Sequence, residues 1–124
     1  MEIHESAENY LETILMLKEQ QGQVRSIDIV NHLGYTKPSI SVAMKRLREN
    51  GYIEMDHEGY ISLTDSGMEV ARRIYTRHKW LTKFLVKLGV NEKTAEADAC
   101  KMEHDVSDET FRKLREHAME NLKE

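Results

Sequence analysis

A single cysteine, Cys100, and a single proline, Pro38, leave this chain of 124 residues without the means to cross-link itself and with little to interrupt its helices. One cysteine excludes an intramolecular disulfide, so packing or assembly must supply stability, and a reducing compartment fits. No segment approaches 18 consecutive apolar residues, and the N-terminal stretch lacks the basic, apolar and small-residue order of an export signal. A cytoplasmic protein that does not enter a membrane is expected. Paired cysteines and a His-Glu-x-x-His run are both absent, which excludes zinc fingers and zincins. No nucleophile, base and orienting group stand together, so no enzyme and no small organic ligand are expected. Repeats, low-complexity tracts and proline-rich linkers are missing, and there is no overall excess of basic charge, the net being −4.

What is present suits a globular chain, with 40% apolar and 32% charged residues. The length fits one ordinary domain or two small interdependent halves. Charge is unevenly spread. Residues 1–21 carry one basic and five acidic groups, residues 22–88 eleven and seven, and residues 91–124 six and ten. The middle is therefore +4 between flanks of −4 each, a distribution suited to meeting an anion at the centre and holding cations at the ends.

Apolar spacing at Ala7, Leu11, Ile14 and Leu15 predicts a helix from about Ser6 to Gln20, stopped by Gly22. Ser26 is expected to cap a short second helix that ends at Gly34. A third helix starts around Lys37-Pro38-Ser39, with Ile40, Ala43, Met44 and Leu47 inward, and runs to about Asn50. The runs Tyr52-Ile53-Glu54-Met55 and Tyr60-Ile61-Ser62-Leu63 predict a hairpin. Thr64 is placed to cap a long helix through Leu88, with Trp80 or Leu81 in its core stripe, and shorter helices follow near Thr94–Asp105 and Ser107–Leu122.

Helix, four-residue turn, helix and hairpin is the layout of a winged helix-turn-helix. The third helix is its reading element. Lys37, Lys45, Arg46 and Arg48 lie there with no acidic residue between Thr36 and Arg48, while Thr36, Ser39 and Ser41 bring short hydroxyls and Pro38 sits in the first turn. Arg25 before the second helix, and His57 or Tyr60 on the wing, are further candidates for phosphate contact. Double-stranded DNA is the expected partner. Taken singly, each residue is better read as a solvated polar residue on an ordinary helix, and it is the layout with the acid-free face that points to DNA; the same fold also serves protein recognition.

Cys100, Glu103 and His104 stand at i, i+3 and i+4, which aims a thiol, a carboxylate and an imidazole from one helical face. The first helix carries Glu5, Asn9, Glu12 and Met16 on a stripe opposite its apolar face, and His78 lies on the outward part of the long helix. A metal site draws on these if the helices meet. Against that, a lone cysteine commonly packs as a small apolar residue, Glu103-His104 reads as an exposed pair, and Glu12 reads as a solvated helix position.

From Glu8 to Leu114 the chain resembles the diphtheria-toxin-repressor family of iron- and manganese-dependent regulators. The resemblance is carried by Glu8-Asn9-Tyr10-Leu11-Glu12-Thr13-Ile14, Thr36-Lys37-Pro38-Ser39-Ile40-Ser41, Leu63-Thr64-Asp65-Ser66-Gly67, Arg77-His78, and the run Ala99 to Glu109. It implies a mainly α homodimer with a winged helix-turn-helix domain over residues 1–70 and a helical metal-binding and dimerisation domain over residues 71–124. It also implies metal-activated repression of metal-uptake or metal-homeostasis genes through a palindromic operator. By position Cys100, Glu103, His104 and His78 match family ligands, and Glu12 matches a ligand of the manganese branch.

The chain departs from the family pattern at several points. Cys100 is the iron-branch residue, where the manganese branch has a carboxylate, so Fe2+ is expected first and Mn2+ second, with Zn2+, Co2+ or Ni2+ as substitutes in vitro. Asn9 replaces a methionine of the iron branch or an aspartate of the manganese branch. At the iron branch's ancillary site Thr82 replaces a glutamate and Glu96 a histidine. The chain is also too short for the SH3-like third domain of many iron-type members. A rival expectation is a redox-responsive regulator that uses Cys100 as a lone thiol.

Overall fold

A computed structural model describes residues 5–121 as six helices and one two-stranded sheet in the order α1 (Glu5–Gln21), α2 (Ser26–Leu33), α3 (Lys37–Glu49), β1 (Ile53–Met55), β2 (Ile61–Leu63), α4 (Asp65–Lys87), α5 (Glu92–Asp105) and α6 (Asp108–Asn121). The chain divides into two compact units, Met1–Tyr75 and Thr76–Glu124, and α4 contributes to both. No helix among the described residues is long and apolar enough to cross a membrane.

The N-terminal unit is built on a buried cluster of Leu11, Ile14, Leu15, Leu17, Val24, Ile29, Ile40, Met44, Leu47, Ile53, Ile61 and Ala71. Each fully buried Leu or Ile contributes about 1.5–3 kcal/mol of hydrophobic stabilisation, so this cluster fixes how α1, α2, α3 and the hairpin pack. The second helix is capped differently from expectation. Arg25, not Ser26, is the N-cap residue, because its backbone N–H donates to the Asp28 carboxylate at 2.8 Å and Ser26 already lies within the helix. Its end is as expected: Gly34 takes φ 74° and donates its N–H to Val30 O, a left-handed stop that glycine adopts without a Cβ penalty.

Thr36 caps α3 by accepting from Ser39 N at 3.2 Å, and Pro38 occupies the first turn, where no intrahelical N–H is required. The strands pair antiparallel with Ile53 opposite Leu63, Glu54 opposite Ser62 and Met55 opposite Ile61. Asp56 closes the hairpin turn by accepting from Glu58 N and Tyr60 N, both at 2.9 Å. Ile61 N donates to Val24 O, which ties the hairpin to the α1–α2 connection. Thr64 caps α4 through Gly67 N at 3.2 Å, as expected, and also donates its hydroxyl to Gly51 O and its N–H to Tyr52 O. Gly67 approaches so closely there that a Cβ would fall 1.9 Å from Tyr52 O.

The C-terminal unit has a smaller core of Leu81, Ala99 and Phe111, flanked by Trp80, Met102 and Val106. Leu81, rather than Trp80, is the fully buried member of the α4 stripe. Trp80 instead stacks on Phe84 at 5.0 Å and meets the Phe111 ring edge-on at 5.4 Å. Helix α5 begins earlier than its apolar spacing indicated, since Asn91 caps it by accepting from Lys93 N. Leu122, the expected end of α6, lies outside the described residues.

Candidate metal centre and nucleic-acid interface

Helix α3 turns Ile40, Met44 and Leu47 into the core, which leaves its other face to solvent. Thr36, Lys37, Pro38, Ser39, Ser41, Lys45, Arg46 and Arg48 are all exposed on it or at its cap. The Thr36 hydroxyl has a local task, because it donates to Ser39 Oγ at 2.9 Å while accepting from Ser39 N. Ser39 Oγ accepts that hydrogen and keeps its own O–H to donate. The four cations carry no acidic neighbour within the helix until Glu49, so the face presents a positive field suited to phosphate. On the flank, the Arg25 guanidinium sits 4.3 Å over the Tyr60 ring, joining the start of α2 to the wing. His57 stands at the wing tip, 90% exposed, beside Glu58 at 3.7 Å.

In the C-terminal unit, α4 supplies His78 and α5 supplies Cys100, Glu103 and His104. One ligand atom from each of His78, Cys100 and Glu103 lies within 4.8 Å of the others. Glu103 is fully buried: its carboxylate oxygens stand 3.0 Å from His78 Nδ1 and 3.4 Å from His104 Nε2, and the His104 side chain is only 3% exposed. Glu103 and His104 are thus no exposed pair, and Cys100 is half-buried rather than an inert core residue. The hydrogen bond to Glu103 raises the His78 pKa above its ordinary value, burial opposes it, and the charges of Glu103 and Glu96 add to the rise.

These donors fit a divalent ion. Metal–ligand bonds of about 2.0–2.3 Å place donors of one shell roughly 3–4.5 Å apart, which the 4.8 Å limit on the cluster accommodates. A thiolate and a carboxylate together carry a charge of −2, and with neutral imidazoles they balance one divalent cation. A buried carboxylate without such a partner is costly.

The other two candidate ligands belong to α1 in the N-terminal unit. Glu12 is 3% exposed, which corrects its reading as a solvated helix position: residues 11–15 are buried all round the helix. Asn9 is half-buried and accepts at its backbone oxygen from Thr13 Oγ1. The side chain of Glu5 lies outside the described residues. Thr82, at the altered ancillary position, turns its hydroxyl back onto His78 O at 2.8 Å.

One residue that matters to this site went unassigned at the level of sequence. Arg77, 4% exposed, donates to Asp108 Oδ1 at 3.1 Å and to Val106 O, and its guanidinium lies 4.7 Å over the Phe111 ring. It pins the α5–α6 junction to α4 next to His78. The signal was available: Ile74, Arg77 and Leu81 share one stripe, so an arginine occupied an inward position.

Residues 2–61 match the N-terminal DNA-binding domain of the iron-dependent repressors, and residues 64–123 match their metal-binding and dimerisation domain. The chain is 36% identical over 113 residues to an uncharacterised HTH-type transcriptional regulator of Methanocaldococcus jannaschii, covering 90% of each. It is 36% identical over 107 residues to the transcriptional regulator MntR of Escherichia coli, covering 86% of this chain and 69% of that one. Among solved structures it is similar to a manganese-dependent transcriptional repressor in complex with manganese, with 31% identity, a TM-score of 0.80 and coverage of 90% of this chain and 51% of that one. It is also similar to the metal-dependent regulator MtsR, with 26% identity, a TM-score of 0.81 and coverage of 89% and 52%. This chain spans about half the length of those solved chains. Its relatives are transcriptional regulators and not enzymes, and the chain belongs to the diphtheria-toxin-repressor and MntR family of metal-dependent, DNA-binding, dimerising regulators.

Proposed function

We propose that this chain is an Fe2+-activated repressor that binds, as a homodimer, palindromic operators of metal-uptake or metal-homeostasis genes. The observation that carries the choice of metal is the Cys100 thiol in one cluster with His78 and Glu103. A thiolate ligand favours Fe2+ over the harder Mn2+, by ligand softness and by the order of first-row affinities. In this reading Cys100, Glu103, His104 and His78 hold the ion, with Glu12 and Asn9 added as ligands on the family resemblance alone. The bound ion supplies charge neutralisation and a fixed geometry, and no bond is made or broken.

Residues 1–70 do the reading of DNA and residues 71–124 the sensing. Lys37, Lys45, Arg46 and Arg48 neutralise phosphates. Thr36, Pro38, Ser39 and Ser41 approach base edges at the start of α3, and Arg25, His57 and Tyr60 steady the wing on the backbone. A coupling of about 1–3 kcal/mol between metal and DNA suffices to switch operator occupancy. A second reading, Mn2+ as the activating ion, is favoured by the 31% identity to a manganese-dependent repressor. Anaerobic selection of genomic fragments with Fe2+, with Mn2+ and with chelator separates the two. A palindrome enriched with Fe2+ alone supports the first, enrichment with Mn2+ alone supports the second, and equal enrichment in chelator removes the metal switch.

A further inference from the structure

Among the described residues, Val42 is the one large hydrophobic side chain that α3 leaves exposed. Val42 is 52% exposed. At about 100° per residue, it lies about 200° round the helix from Ile40 and from Met44, both of which are buried in the core. It therefore crowns the ridge opposite the core, with Ser39 one turn before it and Lys45 and Arg46 one turn after. Val42 is not among the partly buried hydrophobics packed against the core of its unit. A β-branched residue at an exposed helical position also forms helix less readily than alanine or lysine.

We propose that Val42 is a base-reading residue that selects thymine in the major groove by packing its isopropyl group against the thymine C5-methyl. The inference rests on the DNA-reading role given above to α3. The thymine methyl is the one apolar feature on the floor of the major groove, and an isopropyl group has nothing to offer a hydrogen-bonding edge. Cytosine at the same place lacks the C5-methyl, so the apolar contact with Val42 is lost. Lys45 and Arg46 on either side hold the ridge against the phosphates, and Ser39 offers a hydroxyl to a neighbouring base or phosphate, so Val42 adds discrimination where they add affinity.

The test uses the metal-loaded full chain and its selected palindrome, with each thymine replaced in turn by deoxyuridine, which keeps pairing and removes only the methyl. One thymine position per half-site is expected to respond, with about fourfold weaker binding per half-site and about fifteenfold when both are replaced. In Val42→Ala, which alters an exposed side chain, the same replacement changes affinity less than about twofold while metal affinity is unchanged. Undiminished sensitivity in Val42→Ala, or no thymine that responds in wild type, overturns the assignment. Failure to enrich any DNA with any metal overturns the DNA-reading role itself and this assignment with it.

Discussion

Gly67→Ala tests the corner that joins the wing to α4, and it sets two effects of opposite sign against each other. Helix propensity alone favours alanine by at most about 1 kcal/mol. The structure says otherwise, because the new Cβ falls 1.9 Å from Tyr52 O and 2.9 Å from Tyr52 C, both backbone atoms. Relief requires a shift of about 1 Å or more, and the carbonyl that must move is the one that accepts from Thr64 N at 3.1 Å. Overpacking costs about 1–3 kcal/mol and a weakened hydrogen bond about 1 kcal/mol. The balance is a loss of roughly 1–3 kcal/mol, at about 4–8 °C in Tm for each kcal/mol in a unit of this size. Urea and thermal unfolding measured in chelator at one fixed protein concentration give the number without contributions from metal or mass action. The exposed neighbour substitution Ser66→Ala is the control and stays within about 0.5 kcal/mol. A Gly67→Ala protein as stable as wild type, or more stable, refutes the close approach.

Cys100→Ala lowers metal affinity by more than the roughly 10–100-fold that losing an outer partner costs, and it abolishes the thiolate-to-cobalt absorption band of the Co2+ form; an unaltered band removes Cys100 from the ligand set. Arg46→Ala weakens binding to all DNA sequences alike and reduces the salt slope by about one, with metal uptake unchanged; impaired metal uptake contradicts the separation of the two tasks. His78 must be neutral to bind a metal, and Glu103 holds its pKa above 6.5. Apparent metal affinity, followed by titration, therefore begins to fall above pH 6.5 as the medium is acidified. The metal-free protein has the opposite sign. Its raised folded-state pKa contributes stability that is fully present below 6.5 and is lost as pH rises through the raised value. A metal affinity that is flat from pH 8 to 6 excludes His78 as a ligand.

The fold was legible in the sequence where local rules agree with burial. Gly34, Pro38 and Thr64 mark their helix ends correctly because left-handed φ, a missing N–H and a hydroxyl cap act within a few residues. The cap of α2 was misplaced because Ser26 is the usual residue type, and only the Asp28 carboxylate reaching Arg25 N decides between neighbours. Within the site, the i, i+3, i+4 spacing of Cys100, Glu103 and His104 was readable, and so was the basic face of α3. What was not readable is burial that depends on tertiary packing. A carboxylate on a polar stripe looks solvated until its neighbours enclose it, as they do at Glu12 and Glu103. The role of Arg77, named in the sequence only as part of the family resemblance, is unreadable for the same reason, since its partners Val106, Asp108 and Phe111 lie about 30 residues away in sequence.

A metal held by the Cys100 cluster is proposed to govern DNA binding. The direct measurement is the anaerobic affinity of wild type and Cys100→Ala for the selected palindrome, each with Fe2+, with Mn2+ and with chelator. Fe2+ is expected to tighten wild-type binding by about 5–150-fold over chelator, Mn2+ to do less, and Cys100→Ala to lose most of the difference at the same metal concentration. Wild-type affinity that is the same in chelator, with Fe2+ and with Mn2+ contradicts it.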